Sequence, residues 1–185
     1  MGKSFFGRLF GGVPESGLKP EPVIPSAETV EADLQFQQGR RLFDGDGVPA
    51  SQVQAAECYR KAAGQGHPAA QYNLGMMYGQ GQGMPRDEEC AGMWLGRAAA
   101  LGYPAAQYQV GVGHHRTSRR SDAANASESR IEAFKWLKLA VGQGYKAAAS
   151  AWEFVVLGMT QAEVDEGRRR VSEFVSGVKK PAVSV

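Results

Sequence analysis

The sequence predicts an all-α fold in which helix pairs stack into a solenoid. Three observations carry this. The chain repeats itself at a spacing of 36 residues: ADLQFQQGRRLFDGDGVP at 32–49 lies over PAAQYNLGMMYGQGQGMP at 68–85, and PAAQY returns at 104–108. Gln35 meets Gln71, Phe36 meets Tyr72, Gly39 meets Gly75 and Pro49 meets Pro85. A fixed period of this size marks a stack of supersecondary units, each burying its apolar face on the next. Second, each copy holds two helix-forming segments split by a Gly-x-Gly-x-Pro stop. Third, Ala and Gly are abundant while β-branched residues are sparse, which favours closely packed helices over a sheet.

Taken in order, residues 1–25 form a Pro- and Gly-rich leader. Pro14, Pro20, Pro22 and Pro25 stand too close together for a helix, so the leader is expected to be disordered. Its Phe5, Phe6, Leu9 and Phe10 suit a sticky end, a docking peptide or a self-assembly contact. The solenoid is expected over 26–176. Ser26 is placed to cap the first helix, with Glu28 and Glu31 in its first turns, and that helix runs to about Phe43. A second helix spans about 51–63, capped by Ser51. The second repeat, 68–103, copies the plan with helices at about 69–79 and 86–100. The third, 104–145, opens at Ala105 but replaces the Gly-x-Gly turn with HHRTSRRSDAANASES from His114. Register returns at Trp136, the counterpart of Trp94, so a six-residue insertion is expected there as a solvated polar loop. Residues 146–176 read as a degenerate cap: a helix at 146–157 that has lost the repeat glycine, then one at about 161–175. Thr160 and Glu163 form a capping box for the latter. The tail from 177 to 185 is expected to fray.

Gly39, Gly75 and Gly111 share one register inside the first helix of each repeat. A mid-helix Gly costs about 1 kcal/mol against Ala, so its recurrence implies close approach of another helix. The Ala pairs Ala62-Ala63 and Ala98-Ala99 are the expected other half of that contact.

Bulk properties exclude several classes. The 185 residues suffice for one domain with a real core. A formal charge of +2 gives no single-sign field to recruit nucleic acid or a membrane surface. No stretch approaches a membrane span, and the N-terminus lacks a signal-peptide pattern. Cys58 and Cys90 do not make a disulfide framework: one helical turn of offset, added to the spacing of neighbouring helices, exceeds disulfide reach. Two free thiols and a reducing, bacterial cytoplasmic setting are the expectation.

The run AAQYNLGMMYGQGQGMP, followed by a helix with Trp94 and the ending Ala98-Ala99-Ala100-Leu101-Gly102-Tyr103, closely resembles the Sel-one-like repeat, a longer relative of the tetratricopeptide repeat. The resemblance covers about residues 32–157. It implies antiparallel helix pairs in a right-handed superhelix whose first helices line a concave groove. It also implies a non-catalytic adaptor or scaffold that binds a partner protein or peptide there. Carried onto this chain, the groove positions are Phe36, Arg40, Phe43, Tyr72, Met76, Gln80, Tyr108 and Val112. Their aromatic and Met side chains offer large, adaptable contact area. Phe36, Tyr72 and Tyr108 equally suit the core between adjacent repeats. Some cysteine-rich, secreted relatives carry a disulfide in each repeat, and this chain departs from that pattern.

Little chemistry competes. His114-His115 point different ways on a helix, and no Cys, Asp or Glu stands at ligand spacing, so no metal or other cofactor is expected. Arg116, Arg119 and Arg120 are followed by Asp122 and Glu128, which reads as a mixed, solvated loop. Ser16-Gly-Leu-Lys19 lies in the Pro-rich leader, off any helix. The enzyme alternative is a small hydrolase working from the His114–Arg120 loop.

Overall fold

The computed structural model describes residues 26–178. The leader, its Phe cluster, and residues 179–185 lie outside the described residues. Eight helices follow one another: α1 (Ala27–Asp44), α2 (Gln52–Gly64), α3 (Pro68–Gln80), α4 (Glu88–Ala100), α5 (Pro104–Ser118), α6 (Ala123–Gly142), α7 (Lys146–Leu157) and α8 (Gln161–Val178). Among the described residues there is no strand, and no helix is long and apolar enough to cross a membrane. The architecture is an all-α helical repeat solenoid.

Local chemistry fixes most boundaries. The Ser26 hydroxyl accepts from the Thr29 N–H at 3.2 Å, and Ser51 caps α2 in the same way. Helices α1 and α3 stop at Gly45 and Gly81, whose φ angles of 73° and 69° lie in the left-handed region that only glycine enters freely. The Thr160–Glu163 capping box forms in both directions: Glu163 N–H donates to Thr160 Oγ1, and Thr160 N–H to Glu163 Oε2. Helix α4 begins two residues later than Arg86, because Asp87 is the better cap and accepts from the Glu89 and Cys90 N–H groups.

The third repeat differs from its sequence reading. The insertion is not a long loop. Helix α5 runs on to Ser118 and α6 starts at Ala123, leaving four residues between them. Polar composition pointed to a loop, but no Gly or Pro interrupts 114–118, so nothing stops the helix. Asp122 then caps α6 through the Asn125 N–H at 3.0 Å. Helix α8 likewise continues to Val178, so 177 and 178 belong to a helix and not to a frayed tail.

Each helix packs on the next from α1 to α7, while α8 returns to lie on α6. The repeat glycines do sit at close approaches, but their partners are not the Ala pairs. A Cβ on Gly39 would stand 2.8 Å from the Tyr59 ring, one on Gly75 2.9 Å from Leu95 Cγ, and one on Gly111 2.7 Å from Leu137 Cγ. Tyr59, Leu95 and Leu137 are one register position, facing the glycine from the second helix of the same repeat. The Ala pairs instead face forward: Ala62 and Ala63 pack with Ala70, and Ala98 and Ala99 with Ala106, at the start of the next repeat. Cys58 and Cys90 are free thiols, the first buried.

Candidate functional site

Three adjoining cavities form a trough along the first helices of the repeats. The first, about 330 Å³, lies between α1 and α3 and is lined by Arg40, Phe43, Tyr72, Met76 and Gln80, with Asn73 and the Tyr59 ring at its base. The second, about 520 Å³, shares Met76 and Gln80 and reaches across to Val112 and Arg116 of α5. The third, about 440 Å³, shares Val112 and Arg116 and ends on His115, Arg119 and Arg120. Each cavity shares lining residues with the next.

Five of the eight groove positions read from the sequence therefore line the first cavity, and Val112 lines the next two. Phe36 and Tyr108 sit at repeat junctions instead. Phe36 stacks on His67 with ring centroids 4.4 Å apart, and Tyr108 packs against Tyr145 at 5.3 Å. Tyr72 does both, meeting Tyr103 at 5.2 Å while one face lines the trough. His67, Tyr103 and Tyr145 occupy one register, so each first-helix aromatic is clamped by the residue that opens the next repeat. His67 adds a cap: its Nδ1 accepts from the Ala70 N–H at 3.1 Å, while Nε2 faces Asp33 at 3.0 Å. Burial raises the Tyr72 and Tyr59 hydroxyls above the ordinary tyrosine value, so both are neutral donors at pH 7.

Sequence reasoning missed a second polar device. Gln71 and Gln107 are buried, and each side-chain amide donates to a carbonyl eight residues back, Ala63 at 3.1 Å and Ala99 at 3.3 Å. Each bond ties a first helix to the end of the preceding second helix. The signal was the recurrence of glutamine at 35, 71 and 107, a polar type held in an apolar register. Gln35 has no preceding repeat and bonds Glu31 instead.

The His114–Arg120 segment is the end of helix α5 and its exit turn, where a loop was expected. Burial lowers the His114 pKa below the ordinary histidine value despite the opposing charge of Glu132, which keeps the ring neutral at pH 7. His115 is lowered too, by burial and then by Arg119; its ring meets Phe154 edge-on at 5.6 Å. Among the described residues no group of His, Cys, Asp and Glu converges as a metal site.

Known proteins agree with this architecture. The family model for the Sel1 repeat matches residues 32–67, 68–103 and 104–145. The crystal structure of a Sel1 repeat protein from Oxalobacter formigenes is 33% identical, covers 68% of this chain and 94% of its own, and superposes with a TM-score of 0.57. A second structure is c5321, a protective antigen of uropathogenic Escherichia coli strains displaying an SLR fold. It is 24% identical over 86% of this chain and 35% of its own, with a TM-score of 0.66. Comparison with curated proteins found no match. Three matched repeats over most of the chain, built from the helix pairs, glycine contacts and aromatic clamps described above, make this protein a member of the Sel1 repeat family.

Proposed function

We propose that this chain is a non-catalytic docking module that takes an extended segment of a partner protein along the trough. Sel1 repeat proteins generally serve as protein-interaction modules. The observation that supports the trough as the docking surface is the convergence of Arg40, Phe43, Tyr72, Met76 and Gln80 on one open cavity. These side chains divide the work. An extended segment has backbone groups with no ladder partner, and Arg40, Asn73 and Gln80 offer donors and acceptors for them. Phe43, Tyr72 and Met76 cover its apolar side chains, with Met76 adapting its shape to them. The scaffold beneath is stiffened by the aromatic clamps and buried glutamines, so little order has to be created on binding.

The test is Tyr72→Ala combined with Met76→Ala. Crosslinking capture from the native cell, read by mass spectrometry, identifies a partner for the natural chain. The double variant loses the Tyr72–Tyr103 contact, so it is expected to melt lower yet stay folded, and to lose that partner. Retained capture by a folded double variant overturns the trough assignment.

A further inference from the structure

We infer that the partner segment is acidic, and that its acidic end seats on Arg116, Arg119 and Arg120 where the trough ends on α5. This rests on the trough being the docking surface and adds which chemistry it selects and in which direction.

The third repeat breaks the chain's own pattern. In the first two repeats the glycine turns at 45–47 and 81–83 end the helix. At the matching place in the third repeat stand Thr117, Ser118 and Arg119, and α5 runs through to Ser118. The deviation thus lengthens one wall of the trough and places three arginines on it. All three are exposed and, with His115 and Val112, line the third cavity.

The other arginines from α5 to α8 are paired, Arg168 with Asp165 among them. Arg130 meets Glu163, Arg169 meets Glu166 and Glu173, and Arg170 meets Glu128, Glu132 and Glu166. Among the described residues Arg116, Arg119 and Arg120 form no ion pair. Glu88, whose carboxyl is held down partly by Arg116, already bonds Arg86. Asp122 is turned into its capping bonds with Asn125. The cluster therefore lines the trough with no direct ion pair, and Glu88 acts on Arg116 only at longer range. The cavity itself supplies apolar surface in Val112 and the His115 ring, which meets the 63% exposed Phe154 of α7 edge-on. Three guanidinium forks beside such surface fit a carboxylate-bearing segment with an apolar residue among its acids.

Other features carry less. The apolar cavity between α6 and α8, at Leu139, Val171 and Phe174, has Lys138 as the one charged residue of its lining, and nothing described shows what would fill it. The exposed Val30 and Leu34 of α1 have nothing described against them.

The experiment selects a phage library of random peptides, about 12 residues long, against the full chain. Enriched peptides are expected to carry Asp or Glu clustered at one end. Synthetic copies should bind about tenfold or more weakly to the Arg116→Gln/Arg119→Gln/Arg120→Gln variant, while Arg60→Gln/Lys61→Gln on α2 leaves binding unchanged. With the natural chain alone, raising salt from about 50 to about 500 mM should weaken binding by a similar factor. Neutral or basic enriched peptides, or acidic ones that ignore both the substitutions and the salt, overturn the inference and leave the trough standing. Tighter binding of an oligouridylate to the same arginines overturns it in favour of nucleic acid. If the natural chain enriches no peptide, the trough reading falls with it.

Discussion

In the first two repeats the helices are drawn together by alanine and glycine; at the C-terminal end α8 is held on α6 by arginines and carboxylates. The buried set around α2 and α3 contains Ala55, Ala56, Ala62, Ala63 and Ala70 beside only three larger residues, Tyr59, Leu74 and Met77. The set around α6 and α7 is built on Phe134, Leu137 and Val155. Over it, Arg170 reaches Glu128 at 2.5 Å and Glu132 at 2.8 Å, and Arg130 reaches Glu163 at 2.5 Å. A repeat junction meets the same surface on every neighbour, so small residues at fixed registers suffice. Among the described residues no further repeat covers α8, and it is fastened by contacts that occur once. One glycine survives there: a Cβ on Gly167 would stand 2.5 Å from the Phe134 ring, so α8 approaches α6 as closely as the repeat helices approach each other.

The repeat half should fail by overpacking. A Cβ added at Gly75 would stand under Leu95 Cγ and 3.2 Å from the Ala91 carbonyl oxygen, which belongs to the backbone and cannot rotate away. Gly75→Leu is expected to destabilise the fold by about 3 kcal/mol, the upper end for an overpacked site. A melt that shows it neutral or stabilising would mean the junction is loose, and the contrast with the C-terminal end would disappear.

The C-terminal end should instead respond to pH. Burial pushes the Glu163 carboxyl up, but its bonds to Arg130, Ser127 and the Thr160 N–H outweigh that and hold it down at about 2. A folded pKa below the ordinary 4.5 means the bound carboxylate stabilises the fold above pH 4.5 and loses that effect as pH falls toward 2. Hydrogen exchange between pH 5 and 3 should show α8 and the start of α6 opening before α1–α4. Glu163→Gln should cost about 2 kcal/mol at pH 7 by leaving Arg130 unpaired, and should flatten the acid response of α8. If all eight helices open together as pH falls, the two regions are one cooperative unit.

Much of this was written locally in the sequence. Ser26, Ser51, Gly45, Gly81 and the Thr160–Glu163 box act within one turn of themselves, so their helices could be read without a neighbour. That Gly39, Gly75 and Gly111 are close approaches was legible from their shared register; that they face Tyr59, Leu95 and Leu137 was not. Which side of the second helix turns inward is set by packing between helices. The extension of α5 to Ser118 and the early start of α6 were hidden for a different reason. Polar residues from Thr117 to Ser129 have a loop-like composition, yet no Gly or Pro stands in 114–118 to stop α5, and Asp122 caps α6 at once. Reading that stretch as a loop also hid the basic end of the trough, because Arg116, Arg119 and Arg120 share a wall only when α5 continues.

The buried glutamines give the finest version of the comparison. In the third repeat the Gln143 amide donates to Gln107 Oε1 at 2.8 Å, which completes the latch. In the second repeat the residue at the Gln143 position is Leu101, which cannot donate and is 55% exposed. Gln71 Oε1 is accordingly buried with no protein partner. A buried acceptor without a donor is costly, and a neutral hydrogen bond made there is worth about 1 kcal/mol. Leu101→Gln is therefore expected to raise stability by about that amount, since the leucine it replaces is mostly in water. The gain should vanish in a Gln71→Leu background, where the acceptor is gone, and this double-mutant cycle separates the bond from any effect of the surface change. Equal gains in both backgrounds would show that the third repeat's latch does not transfer, and that Gln71 is satisfied in some other way.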